Sequence, residues 1–521
     1  MAAKPSPEAG GRPSRKSRCS RKLSVYLLAI FATVFILFHI EVLRTPESSS
    51  WDFISTNYKN LRTVFLDCTT KLQESVTFLP LKDLRYSSNP LQAHTWFMSS
   101  MNDTHENGEP QYLEFPSTAS KERVLCLKGK DVHDGSLNSY ALAWPDSLPP
   151  NATLFTGLTF VSYNHYNYDN LWHGLSSVVP FVAWHIKNQC SALPARWVLY
   201  HWGELRSTMG PWITSLVNAT FGELNIEKFE GFDDGDGKMS SPVCFEKAVV
   251  MRHAEAGMSG DKRLPVYDLV RCRARASCNM SSEGRLSDVD EKGIPVIGMT
   301  MLMRAGPRSF KNESVVIGIF DRACRKVEGC RLTVAYASNL SFCEQVICVN
   351  MFMNPYQPHI KKDHLRESLR ELKQKVKLMS STDILVSPHG GQLTNMFLMD
   401  RNSSVMEFFP KGWLKLAGIG QYVYHWMAKW AGMKHRGAWR DTGGGMKHRG
   451  AWRDTGGDPC PYPEEDSRCM AIYKNAKIGY NETYFAEWAA SVLSDVKLRK
   501  AQEISNKTSG VPVSVSTSCG C

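Results

Sequence analysis

A short segment, LVSPHGGQLTNMF at 385–397, places a histidine and two glycines between an apolar run and a run with helical spacing. The backbone N–H groups of such a turn, together with the positive end of a helix dipole, bind phosphate. His389 and Thr394 add side-chain donors, and Gly390 and Gly391 let a ligand approach the backbone closely. The segment therefore predicts a site for a phosphate-like anion. A tight strand-to-helix turn with a purely structural histidine stays open as the alternative.

Other motifs with a defined chemistry are weak or missing from the sequence. Asp234, Gly235 and Asp236 form a D-x-D, but FDDGDGK has no apolar strand before it and is typical of a polar turn, so a metal site there is disfavoured. No G-x-S-x-G, P-loop, H-E-x-x-H or C-x-x-C pattern occurs. Their absence argues against a serine esterase, a P-loop enzyme and a zinc protein.

The elements that must position the turn alternate along the chain from about residue 121. The apolar runs VLCL, LTFVSYN, WVLYHW and CFEKAVVM predict strands, whereas NLWHGLSSVVPFVAWHI and PWITSLVNATF predict helices. A second series from about residue 294 predicts strands at IPVIGMTMLM, RLTVAYA, DILVSP and SVMEFFP, and helices at NESVVIGIFDRACRKV and GQLTNMFLM. This alternation predicts an α/β fold with two halves facing a cleft. Ligands of such sheets bind beyond the carboxyl ends of the strands, where the His-Gly-Gly turn falls.

The composition fits a folded protein rather than a disordered one. Of the 521 residues, 43% are hydrophobic and 22% are charged, which is enough for two domains with cores. The formal net charge of +11 is concentrated in residues 1–22, which carry seven Lys or Arg against Glu8 alone. The remainder has no block of basic and aromatic residues, so nucleic acid is not an expected partner.

An apolar segment near the N-terminus predicts a membrane anchor. Residues 23–40, LSVYLLAIFATVFILFHI, contain no basic or acidic side chain other than His39 and approach the length that spans a bilayer. The positive residues before them predict a cytosolic N-terminus and a lumenal remainder. A cleaved signal peptide is the rival, but no small-x-small site follows the apolar run. We expect a cytosolic tail at 1–22, a transmembrane signal anchor at 23–40 and a stem at 41–120.

Sequons and cysteines support a lumenal location. Fourteen of the fifteen cysteines follow the predicted anchor, and the close pairs Cys272/Cys278, Cys324/Cys330 and Cys460/Cys469 are candidates for disulfides. Chance would give some N-x-[ST] sequons, but all of them lie downstream of the anchor, as in a lumenal glycoprotein. The candidate glycosylation sites are Asn102, Asn151, Asn218, Asn279, Asn312, Asn339, Asn402, Asn481 and Asn506.

Two parts of the sequence look like additions. GMKHRGAWRDTGG at 432–444 is followed by an identical copy at 445–457, which indicates a local duplication or an assembly error rather than a solenoid. Residues 347–376 look inserted, and their stretch HLRESLRELKQKV has the spacing of an extra helix. Retained untranslated sequence is the alternative for that segment.

Four segments in order resemble glycosyltransferase family 61. STDILVSPHGGQLTNMFLMDRNSSVMEFFP at 381–410 is similar to the family signature of a strand, His-Gly-Ala/Gly-x-Leu-Thr-Asn, a helix and a Glu-bearing strand. MLMRAGPRSFKNESVV at 301–316 is similar to the Arg-x-x-x-Arg-x-x-x-Asn segment of that family. PVCFEKAVV at 242–250 resembles its inter-domain strand, and YDNLWHGL at 168–175 resembles its first-domain motif. The resemblance covers roughly residues 150–500.

The resemblance implies a GT-B-like fold of two Rossmann-like halves, Golgi residence, and an inverting transfer from a nucleotide sugar without a required metal or other cofactor. It places Arg304 and Arg308 where they neutralise the leaving diphosphate, because fixed cations aimed at developing charge lower the barrier. A lone arginine is more often a surface ion-pair residue, and that alternative stays open for each. By the same resemblance the donor diphosphate contacts His389, Gly390, Gly391, Thr394 and Asn395, and the ribose contacts Glu407.

An inverting transfer also needs a base that takes the proton of the acceptor hydroxyl. The family motif resembled by residues 168–175 continues as Asn-x-x-His-x-x-x-Asp, and this sequence keeps Asn170 and His173 but has Ser177 in place of the Asp. Serine cannot act as the base, so His173 or Asp169 is the expected catalytic residue. A purely structural His173 on a helix face is the other interpretation.

The sequence thus predicts a type II Golgi membrane glycosyltransferase that moves a pentose or GlcNAc from a UDP-sugar to a glycan, polysaccharide or glycoprotein. A catalytically silent homologue that binds nucleotide or glycan as a scaffold is the second hypothesis, supported by Ser177. We expect an acceptor-side Rossmann-like domain at 121–290, a nucleotide-sugar domain at 291–480, and a C-terminal helix and tail at 481–521.

Overall fold

The computed structural model describes sixteen segments of the chain. They are residues 30–37, 76–80, 108–110, 112–129, 138–163, 168–201, 204–206, 209–227, 241–251, 258–281, 284–285, 287–336, 376–410, 418–436, 460–462 and 466–508. The chain divides into two compact units, Met1–Ser75 and Val76–Cys521. Each unit is described separately below.

In the first unit, residues 30–37 are helical and exposed. They belong to the predicted anchor, whose other residues lie outside the described segments. Across the segments that are described, no helix combines the length and apolar character needed to cross a bilayer.

The second unit opens with a mixed sheet of nine strands, ordered β1-β4-β3-β9-β5-β6-β7, with β2 paired to β9 and β8 paired to β6. Strands β5, β6 and β9 are parallel neighbours, whereas β2, β3 and β4 run antiparallel to theirs. The first half is therefore a mixed sheet and not a purely parallel one. Its strands are β1 Leu79–Pro80, β2 Tyr112–Phe115, β3 Val124–Lys128, β4 Ser139–Ala143, β5 Thr153–Tyr163, β6 Arg196–His201, β7 Glu204–Arg206, β8 Asn225–Ile226 and β9 Val243–Met251.

The helices associated with this sheet are α1 Leu171–Lys187, α2 Pro211–Phe221 and α3 Gly260–Ser277. Helix α1 begins after Asn170, whose side-chain oxygen accepts hydrogen bonds from the backbone amides of Trp172 and His173 at 3.0 and 3.4 Å. Helix α2 begins with Pro211, which suits the first helical position because that position needs no amide donor.

The second sheet has five parallel strands in the order β11-β10-β12-β13-β14. Its central strands are almost entirely buried and read as continuous apolar runs, as expected when helices cover both faces. The strands are β10 Ile297–Met303, β11 Cys330–Tyr336, β12 Ile384–Pro388, β13 Ser404–Phe408 and β14 Lys434–His435. The helices are α4 Glu313–Arg325, the 3₁₀ helices η1 Gly391–Leu398 and η2 Gly418–Tyr422, α5 Val423–Trp430, α6 Ser467–Asn475 and α7 Glu482–Thr508.

Two large apolar clusters hold this architecture together. One joins the inner face of the first sheet, through α1, α2 and α3, to η1 and α5 of the second half. The other packs α4 and α7 against the opposite face of the second sheet, where Phe408 lies between Phe485 and Trp488. The C-terminal helix α7 therefore packs on the second sheet. The 3₁₀ helix η1 packs between elements of the first and the second half.

Within the described residues, the strands and helices predicted from periodicity are confirmed with one change of type. GQLTNMFLM forms a 3₁₀ helix and not an α-helix. The segment that looks inserted, with its possible extra helix, lies outside the described residues up to residue 375. The described elements that the sequence analysis did not predict are α3, α5, α6, η2 and the strands β1, β2, β4, β7, β8 and β14. Strand β2 lies in the segment expected to be a stem and pairs with β9. Helix α3 escaped detection because its charged residues, several of them buried arginines, interrupt the apolar spacing.

Disulfides link Cys126 to Cys244, Cys324 to Cys330 and Cys460 to Cys469. The last two were predicted, and the first was not, because a separation of 118 residues leaves no local signal. The candidate pair Cys272/Cys278 is wrong, since Cys272 is disulfide-bonded and Cys278 is not its partner.

Removing the Cys126–Cys244 bridge by the double change to serine is expected to lower the free energy of unfolding by about 4–5 kcal/mol, because the bridge closes a long loop in the unfolded chain. The matched change at Cys460 and Cys469, which are 9 residues apart, is expected to cost about 2–3 kcal/mol. Urea unfolding of both variants checks the order, and equal losses would contradict the loop-length argument.

Candidate functional site

The candidate site lies at the carboxyl ends of the parallel strands of the second sheet. Arg304 directly follows β10, and His389 directly follows β12. These strands are hydrogen-bonded neighbours in the parallel sense, so their ends meet at one edge of the sheet. This edge is where ligands of open α/β sheets bind.

The glycine turn and Arg304 are in close contact. One guanidinium nitrogen of Arg304, Nη1, donates to the carbonyl oxygen of His389 at 3.5 Å. A Cβ added at Gly390 would lie 2.4 Å from Nη1 of Arg304 and 2.5 Å from Oε1 of Gln392. Gly390 is therefore needed for the arginine to reach the turn. A Cβ at Gly391 would meet nothing within 4 Å, so that residue borders open space.

The charge of Arg304 is poorly compensated. Its side chain is half-buried, and its Nε is buried without a hydrogen-bond partner among the residues that the structure describes. Its electrostatic neighbours there are Arg308 and Tyr424, and neither is a carboxylate. Burial, followed by the charge of Arg308, lowers the pKa of Arg304 to about 10, which still leaves it protonated at neutral pH. A half-buried cation in this setting is suited to hold an anion.

Arg308 lies beside Arg304 with an unusual backbone. Its φ of 61° is in the left-handed region, and its amide donates to the carbonyl of Ala476 at 3.0 Å. Burial lowers the pKa of its side chain. A non-glycine residue held in this conformation costs free energy and persists where surrounding contacts impose it, often at functional sites. The structure thus brings both predicted arginines to the turn.

Behind the turn, His389 is the first member of a buried chain of three side chains, His389, Glu407 and His435. Nδ1 of His389 lies 2.5 Å from Oε1 of Glu407, and Nε2 of His435 lies 2.6 Å from Oε2. Glu407 is completely buried. Burial raises the pKa of Glu407 and lowers those of both histidines, that of His435 to about 3. A carboxylate with both oxygens held by imidazoles orients His389, and the ribose contact expected for Glu407 stays a prediction.

The imidazole of His389 is also packed between aromatic rings. Phe409 stacks on it at 5.2 Å between ring centroids and 29° between planes, and Tyr424 meets it edge-on at 5.2 Å. Tyr424 is buried, and burial raises the pKa of its hydroxyl. Tyr424 in turn contacts Trp172 at the start of α1, at 6.2 Å between centroids. Aromatic contacts therefore join the turn to the first half of the protein.

Thr394 and Asn395 lie within the packed interior of η1. Thr394 is fully buried, and Asn395 is 4% exposed. The amide oxygen of Asn395 accepts from Nε1 of Trp212 on α2 at 3.1 Å, and its nitrogen donates to the carbonyl of Gln392 at 2.9 Å. These contacts hold η1 against the first half. Diphosphate binding by the two side chains stays a prediction.

The predicted catalytic residues lie at the amino end of α1. Asp169 is exposed and His173 is half-buried, one on each side of the capping residue Asn170. Their neighbour Trp172 contacts Tyr424, which touches His389, so this end of α1 approaches the turn through two aromatic rings. Ser177 is 3% exposed, and its hydroxyl donates to the carbonyl of Gly174 at 2.7 Å. The hydroxyl of Ser177 is therefore engaged in a hydrogen bond within α1.

Two buried arginines of α3, which the sequence analysis did not identify, form hydrogen bonds with the end of η1. Arg271 donates through Nε to the carbonyl of Phe397 at 2.7 Å and through Nη2 to that of Ala431 at 2.9 Å. Arg275 donates to the carbonyl of Leu398 at 3.0 Å and pairs with Asp400 at 2.6 Å. They cap the last carbonyls of η1 and α5, which helix ends otherwise leave unsatisfied. No local sequence signal distinguishes them from surface arginines.

The remaining predicted sites are dispersed. Asp234 and Asp236 lie outside the described residues, and within the described ones no three potential metal ligands cluster. Two of the sequon asparagines, Asn102 and Asn339, also lie outside. Asn218 is half-buried, and the others are exposed: Asn151, Asn279, Asn312, Asn402, Asn481 and Asn506. Glycosylation at these positions remains a prediction.

Comparison with known proteins shows that part of the chain is similar to a glycosyltransferase family. The family model described as Glycosyltransferase 61 matches residues 172–406, a span that includes His173, both arginines and the glycine turn. This match supports the assignment to glycosyltransferase family 61, and the resemblance seen in the motifs is confirmed. A search of curated proteins found no match. Glu407 and His435 lie beyond the matched span.

Proposed function

We propose that this protein is a Golgi type II membrane glycosyltransferase with a GT-B-like arrangement of two Rossmann-like halves. It moves a pentose or GlcNAc from a UDP-sugar to a glycan, polysaccharide or glycoprotein acceptor, with inversion and without a metal ion. The match to the family model supports the transfer of a sugar. The parallel second sheet, with its turn at the carboxyl edge, supports nucleotide binding by that half.

The observation that carries the proposal is the guanidinium of Arg304 against the His-Gly-Gly turn, with no carboxylate among the electrostatic neighbours that the structure describes. Two adjacent arginines and a glycine turn form a cationic, closely approachable surface, which suits a diphosphate. An arginine fork binds phosphate oxygens in pairs, and a charge that is already fixed in place lowers the barrier as the leaving group gains charge.

The proposed reaction is a single displacement. The acceptor hydroxyl oxygen attacks the anomeric carbon, the bond from that carbon to the diphosphate oxygen breaks, and UDP leaves with the bonding electrons. His173 or Asp169 takes the acceptor proton, and Arg304 and Arg308 bind the departing diphosphate. The short aromatic path from the start of α1 to His389 supports a base at that position.

A catalytically silent nucleotide-binding homologue is the second candidate. The observation that favours it is the buried Ser177, whose hydroxyl is already bonded within α1 and offers no base where the family motif has an acid.

The test is a panel of UDP-sugars, including UDP-pentoses and UDP-GlcNAc, incubated with the purified full-length chain and glycan acceptors. Transfer and donor hydrolysis are followed by mass spectrometry, and the anomeric configuration of the product by NMR. Transfer with inversion supports the enzyme, and UDP binding without turnover of any donor supports the silent homologue. Absence of UDP binding would overturn both. Alkaline extraction of membranes from expressing cells tests the anchor.

A further inference from the structure

We propose that His435 is a positioning residue of the donor site, which holds Glu407 so that Glu407 can orient His389. We further propose that the first copy of the duplicated segment alone provides this histidine. The inference rests on the proposed function, because it concerns the same UDP site.

The contacts of His435 are specific and shielded. Its side chain is 3% exposed, and Nε2 lies 2.6 Å from the Oε2 atom of the fully buried Glu407. The other oxygen, Oε1, lies 2.5 Å from Nδ1 of His389. Because each oxygen is used once, the carboxylate cannot rotate without breaking one of the two contacts. Removing His435 would leave Oε2 buried without its donor, a costly state for an ionised group.

The backbone of β14 places the side chain of His435 next to Glu407. Strand β14 consists of two residues, Lys434 and His435, at the edge of the second sheet. Residue 435 pairs with Val405, and the amide of Arg436 donates to the carbonyl of that residue at 2.7 Å. Gly432, with φ of 75°, turns the chain from the end of α5 into the strand. The pairing sets His435 beside β13, the strand that carries Glu407.

The contact of His435 with Glu407 affects which nitrogen of His389 carries a hydrogen. A carboxylate accepts hydrogen bonds, so Nε2 of His435 and Nδ1 of His389 both carry hydrogen when Glu407 is ionised. This fixes the tautomer of His389 when neutral and supports its imidazolium form when a diphosphate is nearby. The titratable and charged groups that face the His389–Glu407 pair are Arg304, Arg308, Tyr424 and His435, with His425 beyond His435.

The duplication supplies an internal control. His435 belongs to the copy at 432–444, and His448 has the equivalent place in the copy at 445–457. The described chain uses the first copy for β14. Residues 437–459 are outside the described segments, so the assignment to the first copy rests on the contacts of His435 alone.

The experiment compares His435→Phe, His435→Gln and His448→Phe in the purified full-length chain, with UDP as the probe. Calorimetry gives the Kd for UDP between pH 5 and pH 9, and donor turnover is measured where a donor has been found. Phenylalanine keeps a ring but loses the donor. Glutamine places an amide N–H near the position of Nε2.

For His435→Phe we expect UDP binding weaker by about 10- to 100-fold, the range found when a partner that orients a metal-binding histidine is removed. We also expect the acidic limb of the binding profile to move to higher pH, because Glu407 loses a hydrogen bond that favours its ionised form. His435→Gln should restore most of the affinity and the wild-type profile. His448→Phe should behave as wild type.

Two results would overturn the inference and leave the proposed function intact. The first is UDP binding by His435→Phe that equals that of the wild type. The second is a loss of UDP affinity in His435→Phe that His435→Gln does not restore and that leaves the pH profile unchanged, as expected for a purely structural role. An effect of His448→Phe equal to that of His435→Phe would overturn the assignment to the first copy. If the wild-type chain itself did not bind UDP, the proposed function would be overturned.

Discussion

The Arg304→Ala protein is expected to bind UDP about 100-fold more weakly than the wild type. The guanidinium lies against the turn, donates to the carbonyl of His389, and has no carboxylate among its described electrostatic neighbours. Its charge is therefore available to the diphosphate, and a hydrogen bond to a charged group contributes about 1.5–3 kcal/mol, which corresponds to about 10- to 150-fold in affinity. Calorimetric titration of the full-length chain with UDP measures the effect directly.

Arg304→Lys separates charge from geometry. Lysine keeps the charge but cannot form the paired hydrogen bonds of the guanidinium, so we expect an intermediate affinity. Arg322→Ala is the matched control, because Arg322 is an exposed arginine of α4 whose ion pair with Glu482 lies on the surface. Its affinity for UDP should match that of the wild type. Equal UDP affinity of Arg304→Ala and wild type would remove the observation on which the proposed function depends.

The second large effect is expected for Gly390→Ala, which should reduce UDP affinity by about 30-fold or more while the protein stays folded. The added Cβ would lie 2.4 Å from Nη1 of Arg304 and 2.5 Å from Oε1 of Gln392. Both atoms are ends of flexible side chains, so they can move away at small cost to stability. Arg304 would then leave the turn, and its charge would no longer be aimed at the diphosphate.

The control for this change is Gly260→Ala at the start of α3, where a Cβ would meet nothing within 4 Å. Both variants should unfold within a few degrees of the wild type, as measured by differential scanning calorimetry. Only Gly390→Ala should lose affinity for UDP. If Gly390→Ala bound UDP normally, or if its loss of binding came with a large drop in Tm, close approach at the turn would not be the cause.

Some of the site follows from sequence because its signals are local. The strand DILVSP, the turn at His389 to Gly391 and the run after it lie within about fifteen residues. Arg304 follows an apolar strand directly, and parallel strands bring their carboxyl ends together. The resemblance to the family motifs placed the arginine and the turn at one site, and the two are in contact in the structure.

Other contacts depend on pairs of residues that no local pattern connects. Asn395 bonds to Trp212 across 183 positions, and the bridge of Cys126 with Cys244 joins strands that pair only after folding. Glu407 was expected to face a ribose because of its place in the signature. Its burial between His389 and His435 depends on β14, an edge strand too short to show a period of its own.

The amino-acid sequence by itself determined the alternation of strands and helices and the glycine turn, because these are carried by short-range periodicity, and its motifs carried the resemblance to the family that places Arg304 and Arg308. The tertiary structure alone decided which side chains lie at the turn and which are buried behind it. Burial and hydrogen-bond pairing are set by packing between elements distant in the chain, as for Arg271 of α3 beneath η1. A buried polar group must find a partner, and only the folded chain brings that partner within reach.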